Sequence, residues 1–191
     1  MARLFVALEI GSLAQDLVAA EQARLSETMR SRTLRWTKHD QLHITLVFIG
    51  EVAEERGAHI VEGMRTPLLH SPFQFELGGL GAFPPHGPPR ALWIGVKSGA
   101  NAVISVQSLV AERLEQLGVQ REKRPFSPHL TLARWRESRP SDRPRAAAGS
   151  PPTIARVSAN AVTLFQSRVT SDGSTYTRLV ECSLGEGGGH R

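Results

Sequence analysis

The chain opens on an alternation: Leu4, Val6, Leu8 and Ile10 fall on one side of an extended backbone, Phe5, Ala7 and Glu9 on the other. Period two predicts a strand, and the apolar residues on its second face predict cover on both sides. Ser12 with Gln15 three residues on has the form of a capping box, and Leu13, Leu17, Ala20, Ala23 and Leu25 follow at helical spacing to about Arg30. After a break over residues 37–41, Leu42 to Ile49 alternates again, with Gly50 as its end. Val52 to about Met64 predicts a second helix despite Gly57 and Gly63. Phe73, Phe75, Leu77 and Leu80 predict an extended segment, AFPPHGPPR a loop, and ALWIGV at 91–96 another strand. Val103, Val106, Leu109, Val110, Leu114 and Leu117 predict a third helix, ended by Gly118. The stretch PHLTLARW predicts a strand, residues 138–152 an exposed Pro- and Arg-rich excursion, and 153–165 and 174–183 two last extended segments separated by the turn residues SDG. The Gly-rich end, 185–191, predicts a flexible tail.

Strands interleaved with a few helices imply an α+β protein: mostly antiparallel sheet with helices covering one face. The pattern also runs twice. A helix, a loop and a strand opening on His-apolar-Thr-Leu occur once at HITL (43–46) and again at HLTL (129–132), which predicts a duplicated lobe. At 191 residues the chain is long enough for one ordinary domain or two small lobes.

Composition changes this picture little. Hydrophobic residues make up 40% and charged residues 21%, a folding chain without a stretch long enough to span a bilayer. No secretory signal is legible, so the expectation is a cytoplasmic protein without membrane attachment. Cys182 is the single cysteine; it excludes an internal disulfide or a thiolate zinc cluster and is expected as a buried structural thiol. The net charge of +5 favours an anionic partner such as nucleic acid or a phosphorylated metabolite.

The repeated tetrapeptide carries the chemistry. In a strand, residues i and i+2 share a face, so His43 and Thr45 point one way while Leu42, Ile44 and Leu46 anchor the other, and His129 and Thr131 do the same against Leu130 and Leu132. A single such histidine is most simply a structural or surface residue; two in matching contexts, converging across a cleft, form an acid and a base. With an ordinary pKa of about 6.5, one ring accepts a proton near neutrality while the other donates one, and the hydroxyls bind non-bridging oxygens of a phosphate. Sequence symmetry does not say which ring does which. His39, His59, His70, His86 and His190 lack this context. No HExxH, G-x-S-x-G or P-loop occurs, so a metal centre, a serine hydrolase and a P-loop ATPase are all disfavoured, and no metal or cofactor is expected.

With RLFVALEI, Trp36 ahead of QLHITLVFIGEV, RALWIGV, FSPHLTLAR and LFQSRVTSDGSTYTRL, the paired motifs resemble the 2H phosphoesterase superfamily, and within it the RNA 2′,3′-cyclic phosphodiesterases also called 2′-5′ RNA ligase-like. The resemblance runs from about Arg3 to Leu184, and residues 1–184 are expected as one bilobal domain. It implies a pseudo-twofold α+β fold, with helices on the outer faces and the motifs on facing strands of a V-shaped cleft. It implies metal-independent hydrolysis of a terminal 2′,3′-cyclic phosphate to a 2′-phosphate, with His43 as proton donor, His129 as proton acceptor and Thr45 and Thr131 as phosphate-binding hydroxyls. It also implies reversible, ATP-independent 2′-5′ ligation of a 2′,3′-cyclic end to a 5′-hydroxyl. Arg134 and Arg90 match arginines of the family's cleft; each is also readable as a surface arginine, and Arg134, five residues past His129, reaches the same face only if the strand twists or ends. The expected partner is RNA with a 2′,3′-cyclic end, tRNA-like or oligonucleotide, or a nucleotide, bound by a monomer. Two alternatives stand: the same residues acting on small cyclic nucleotides, ADP-ribose cyclic phosphate or 2′-5′ linkages, and a non-catalytic RNA- or nucleotide-binding module.

Overall fold

The computed structural model describes residues 2–29, 33–143, 151–170 and 173–185. In chain order these form β1 (Ala2–Glu9), α1 (Gly11–Met29), β2 (Leu34–Trp36), β3 (His43–Val52), α2 (Glu54–Gly63), β4 (Leu68–Leu69), β5 (Phe73–Phe83), β6 (Ala91–Ser98), α3 (Ala100–Gln116), β7 (His129–Trp135), β8 (Ala155–Ala159), β9 (Ala161–Thr170) and β10 (Gly173–Gly185). The strands build two five-stranded sheets, ordered β3-β1-β9-β10-β4 and β2-β7-β6-β5-β8. Every pairing is antiparallel except the short one between β10 and β4. The fold is α+β, as expected.

The duplication is visible in the pairing. β1 leads through α1 to β3, which returns antiparallel to it; β6 leads through α3 to β7, which returns antiparallel in the same way. The helices cross over: α1 packs on β8 of the second sheet, and α3 touches β3 and β4 of the first. One continuous hydrophobic core therefore contains Leu4, Val6 and Ile44 of the first sheet, Leu92, Ile94 and Leu130 of the second, and Val18 and Val110 of the helices. Among the described residues no helix is long and apolar enough to cross a membrane.

Several expectations change. Gly50 does not end the strand: at φ +84° it sits beside a bulge at Ile49, and β3 continues to Val52. A positive φ is cheap only for glycine, which is how the chain absorbs the extra residue. In α1, which begins on Gly11 at φ +75° rather than after a Ser12 cap, the buried stripe is Ala14, Val18, Glu21, Gln22 and Leu25, while Leu13 is 74% exposed. The segment expected as one extended piece over 153–165 is two strands in different sheets, β8 and β9, divided at Asn160. β2 and β4 are too short to show a period and have no counterpart in the sequence pattern. Of the expected excursion, residues 138–143 and 151–152 are described: a short turn over Pro140–Asp142 precedes Arg143, whose Nη2 donates to the carbonyls of Pro84 (2.8 Å) and Gly87 (2.9 Å). Ser171, Asp172 and residues 186–191 of the expected turn and tail lie outside the described residues, and Gly185 is still in β10, paired with Leu69. Cys182 is fully buried; its thiol donates to the Thr66 carbonyl (3.0 Å) and burial pushes its pKa up.

Candidate active site

A cavity of about 920 Å³ opens between the two sheets, and His43, Thr45, His129, Thr131, Arg90 and Arg134 all line it. The four residues of the two motifs alternate with fully or nearly fully buried Ile44, Leu46, Leu130 and Leu132, so the apolar face of each strand fixes the polar face toward the cavity. None of His39, His59, His70 and His86 lines it.

The register explains how Arg134 joins them. Along β7, Thr131 pairs with Trp93 and Ala133 with Leu92, leaving Leu132 as an extra residue. A bulge resets the alternation, so Leu132 and Ala133 are both buried and Arg134 emerges on the face of His129 and Thr131. The first motif does the same: Thr45 pairs with Ala7 and Val47 with Val6, leaving Leu46 extra. Each H-x-T-L therefore carries its bulge on the leucine. The residue at the place of Arg134 in the first lobe is Phe48, which also lines the cavity and is 71% exposed. The pseudo-symmetric cleft is thus unequal at one position, a guanidinium facing one lobe's half and a phenyl ring the other's.

The bulged strands are held from outside the ladder. The carbonyl of Leu132 accepts from the Thr37 backbone N–H (2.8 Å) and from the side-chain amide of buried Gln22 (2.9 Å), and the Thr131 carbonyl accepts from the Thr37 hydroxyl (2.9 Å). Gln22 also donates to the Thr37 carbonyl (3.0 Å). In the first lobe the bulged strand rests beside a second small core of Phe5, Ala7 and Phe165, with Tyr176 against it.

The two rings are oriented alike. His129 donates from Nδ1 to the Ser127 carbonyl (2.7 Å), and His43 makes a backbone hydrogen bond with Gln41, again two residues upstream. A nitrogen facing a carbonyl carries the proton, so in the neutral His129 ring Nε2 holds the lone pair. His43 Nε2 lies 3.0 Å from Thr45 Oγ1 and shares a hydrogen bond with it. Aromatic rings pack both: His43 stacks on Phe5 (5.2 Å between centroids) and meets the edge of Tyr176 (5.6 Å), and His129 meets Phe83 edge-on (4.9 Å). Apolar surroundings penalise the imidazolium. Burial lowers the His43 pKa to about 4, against the raising effects of the Gln41 carbonyl and the Glu9 carboxylate. Burial also lowers that of His129, and the Arg134 guanidinium adds to it against the Ser127 carbonyl. Both shifts favour the neutral form of the rings.

Glu9, opposite His43 in the β1–β3 register, is held by the Thr163 hydroxyl (2.9 Å) and by Arg178 Nε (3.0 Å). Sequence reasoning missed Gln22, Gln41 and Phe48. Only Phe48 left a signal: it stands five residues past its histidine, as Arg134 does.

Comparison with known proteins agrees with this geometry. The family model of the 2′-5′ RNA ligase superfamily matches residues 14–170. The chain is 33% identical over 177 residues to a protein of Archaeoglobus fulgidus named RNA 2′,3′-cyclic phosphodiesterase, covering 93% of this chain and 97% of that one. It is 34% identical over 157 residues to a protein of the same name from Aeropyrum pernix, covering 81% and 89%. Among solved structures, TT0787 of Thermus thermophilus superposes with a TM-score of 0.79 at 27% identity, over 95% of this chain and 97% of the other. E. coli LigT in its apo form shares the fold, with a TM-score of 0.74 at 23% identity over 96% and 97%. Two bulged His-x-Thr-Leu strands facing one cavity, on a fold these proteins share, agree with the family match: the chain belongs to the 2′-5′ RNA ligase superfamily.

Proposed function

We propose that the protein is an RNA 2′,3′-cyclic phosphodiesterase that opens a terminal 2′,3′-cyclic phosphate to a 2′-phosphate with two histidines and no metal. The observation that carries this reading is the convergence of both rings, His129 bonded through Nδ1 to the Ser127 carbonyl and His43 bonded to the Gln41 backbone, on one cavity with a threonine hydroxyl and an arginine beside them. His129 takes a proton from a water whose oxygen bonds to phosphorus. The bond from phosphorus to O3′ breaks, and His43 gives its proton to the leaving oxygen. Thr45 and Thr131 donate to the non-bridging oxygens, where charge builds in the transition state, and Arg134 and Arg90 neutralise it. With a pKa of about 4 in the free protein, His43 takes up its proton together with the anionic substrate, whose charge stabilises the imidazolium. The exposed face of Phe48 offers the terminal base a stacking surface. With a 5′-hydroxyl in place of the water, the same transfers join it to the cyclic end as a 2′-5′ linkage without ATP, and their reversal cleaves that linkage.

The test is incubation of EDTA-treated protein with an oligonucleotide bearing a 2′,3′-cyclic end, followed by product analysis. A 2′-phosphate is expected, and His43→Ala or His129→Ala should lower the rate by roughly 10²- to 10⁴-fold, the range for a lost general acid or base. An intact cyclic end after prolonged incubation, or full activity in both variants, overturns the proposal.

A further inference from the structure

The two lobes place different residues beside their histidines. In the β1–β3 ladder Glu9 is directly opposite His43, whereas in the β6–β7 ladder the place opposite His129 is held by Gly95. Directly opposed residues of antiparallel strands share a face, with Cβ atoms about 4.5–5.5 Å apart, so the Glu9 side chain starts beside the His43 ring. Gly95 has no side chain to offer His129. The Glu9 carboxylate is also fixed in place: Oε2 accepts from the hydroxyl of Thr163, itself 2% exposed, and Oε1 accepts from Arg178 Nε (3.0 Å). The Glu9 side chain is 28% exposed and that of Arg178 70%, so water screens the guanidinium more than the carboxylate it holds. The proton transfers proposed above do not use Glu9.

Burial opposes the imidazolium at both sites, and each ring has a backbone partner two residues upstream. The charged neighbours differ in sign. On the sheet of His43 stand Glu9 of β1 and, from β10, Tyr176, Arg178 and the exposed Glu181 opposite Thr163. His129, Arg134 and Arg90 face it across the cavity, whose wall after α3 carries Arg121 and the Arg124–Glu122 pair (3.0 Å). Of these charges, the Glu9 carboxylate favours a proton on His43, and the Arg134 guanidinium disfavours one on His129. A bound phosphate brings negative charge to both rings alike, so the standing contrast between Glu9 and Arg134 separates the acid from the base.

We propose that Glu9 is a positioning residue for the proton donor: its carboxylate, fixed beside His43 by Thr163 and Arg178, holds the imidazolium that protonates O3′, and the glycine in its place at His129 leaves that ring to act as the base. Glu9 does not line the cavity, so it acts through His43 rather than on the substrate. The inference rests on the two-histidine reaction proposed above, and it breaks the symmetry of the repeated motif with a residue outside that motif.

The experiment titrates the His43 ring by NMR, in the free protein and with saturating sulfate, the resonance being assigned by its loss in His43→Ala. Glu9→Gln keeps the size and hydrogen-bonding capacity of the side chain and removes its charge. The His43 midpoint should fall by about half a pH unit, threefold in proton affinity, the size of one partly screened charge. Glu9→Asp, which keeps the charge, should retain most of the midpoint. In turnover of a 2′,3′-cyclic end, Glu9→Gln should move the alkaline limb of kcat down by the same amount and lower kcat about threefold above it, with KM little changed. Arg178→Gln removes the opposing charge and should move the midpoint up; it is the deciding variant if Glu9→Gln does not fold. An unchanged midpoint in Glu9→Gln, an equal fall in Glu9→Gln and Glu9→Asp, or a midpoint in Arg178→Gln that stays or falls overturns the inference. Cleavage is scored separately. A protein that opens the cyclic end while its His43 titration ignores Glu9 keeps the proposed function and loses this inference. One whose His43 follows Glu9 but which leaves the cyclic end intact loses the function and keeps Glu9 as the counter-charge of His43.

Discussion

His43 is a group whose surroundings oppose its charge. The aromatic rings of Phe5, Phe165 and Tyr176 pack around it, and its Nε2 faces a hydroxyl rather than a carboxylate. In the unfolded chain its pKa returns to about 6.5, so below that value the unfolded state binds a proton that the folded state refuses. Stability from this residue is therefore complete above pH 6.5 and is lost as pH falls toward about 4, a total of roughly 3 kcal/mol; His129 acts in the same direction. Thermal denaturation from pH 7 to pH 4 should show that decline, and His43→Gln should flatten it. An anion reverses the effect by favouring the imidazolium: sulfate, which does not titrate in this range, should bind more tightly as pH falls and take up a proton in calorimetry. A sulfate affinity that does not change with pH would show that His43 does not face the anion. Much of this residue-level chemistry was legible, because i and i+2 on a strand share a face whatever the tertiary structure. The depressed pKa values were not, since the rings that surround His43 come from β1, β9 and β10.

At the scale of elements, the bulge decides which side chains meet. Arg134 is five residues past His129, and a regular strand would turn it to the opposite face; the extra Leu132 brings it back. Gln22, 8% exposed on α1, holds the peptide of that extra residue. Replacing it by leucine leaves a buried carbonyl with one donor fewer and removes a positional constraint on Arg134. Gln22→Leu should therefore raise KM more than it lowers kcat, and combined with Arg134→Ala it should add little to the loss from Arg134→Ala alone. Full additivity in that double-mutant cycle would mean that Gln22 acts on stability only. The same residue explains why the α1 face was not legible. Its buried stripe contains Glu21 and Gln22, satisfied by Arg24 and by the Thr37 and Leu132 carbonyls, so hydrophobicity alone pointed to Leu13. Gly81 is a second local constraint: a Cβ there would come within 2.2 Å of two ring atoms of Trp93, which lies 6.1 Å from His129. Gly81→Ala should cost about 1–3 kcal/mol in chemical denaturation by overpacking, and disturb His129 as well.

At the scale of the whole molecule, the chain changes sheets repeatedly. β2 leaves the first lobe to edge the second sheet beside β7, and after β8 the chain crosses at Asn160 so that β9 and β10 complete the first sheet. These exchanges were not legible, because a three-residue strand has no measurable period and a one-residue junction carries no turn signal. The duplication itself was legible from the repeated tetrapeptide. With strands exchanged and one core shared, neither half can bury its own apolar surface alone, and unfolding should be a single transition.

The three tryptophans make that last expectation sharp. Trp36, Trp93 and Trp135 all belong to the second sheet, on β2, β6 and β7. Intrinsic indole emission thus watches one half of the molecule, whereas circular dichroism sums over both. Superimposed urea curves from the two probes would mean that the halves melt together. Emission that shifts ahead of or behind the ellipticity would mean that one sheet keeps its order after the other has gone.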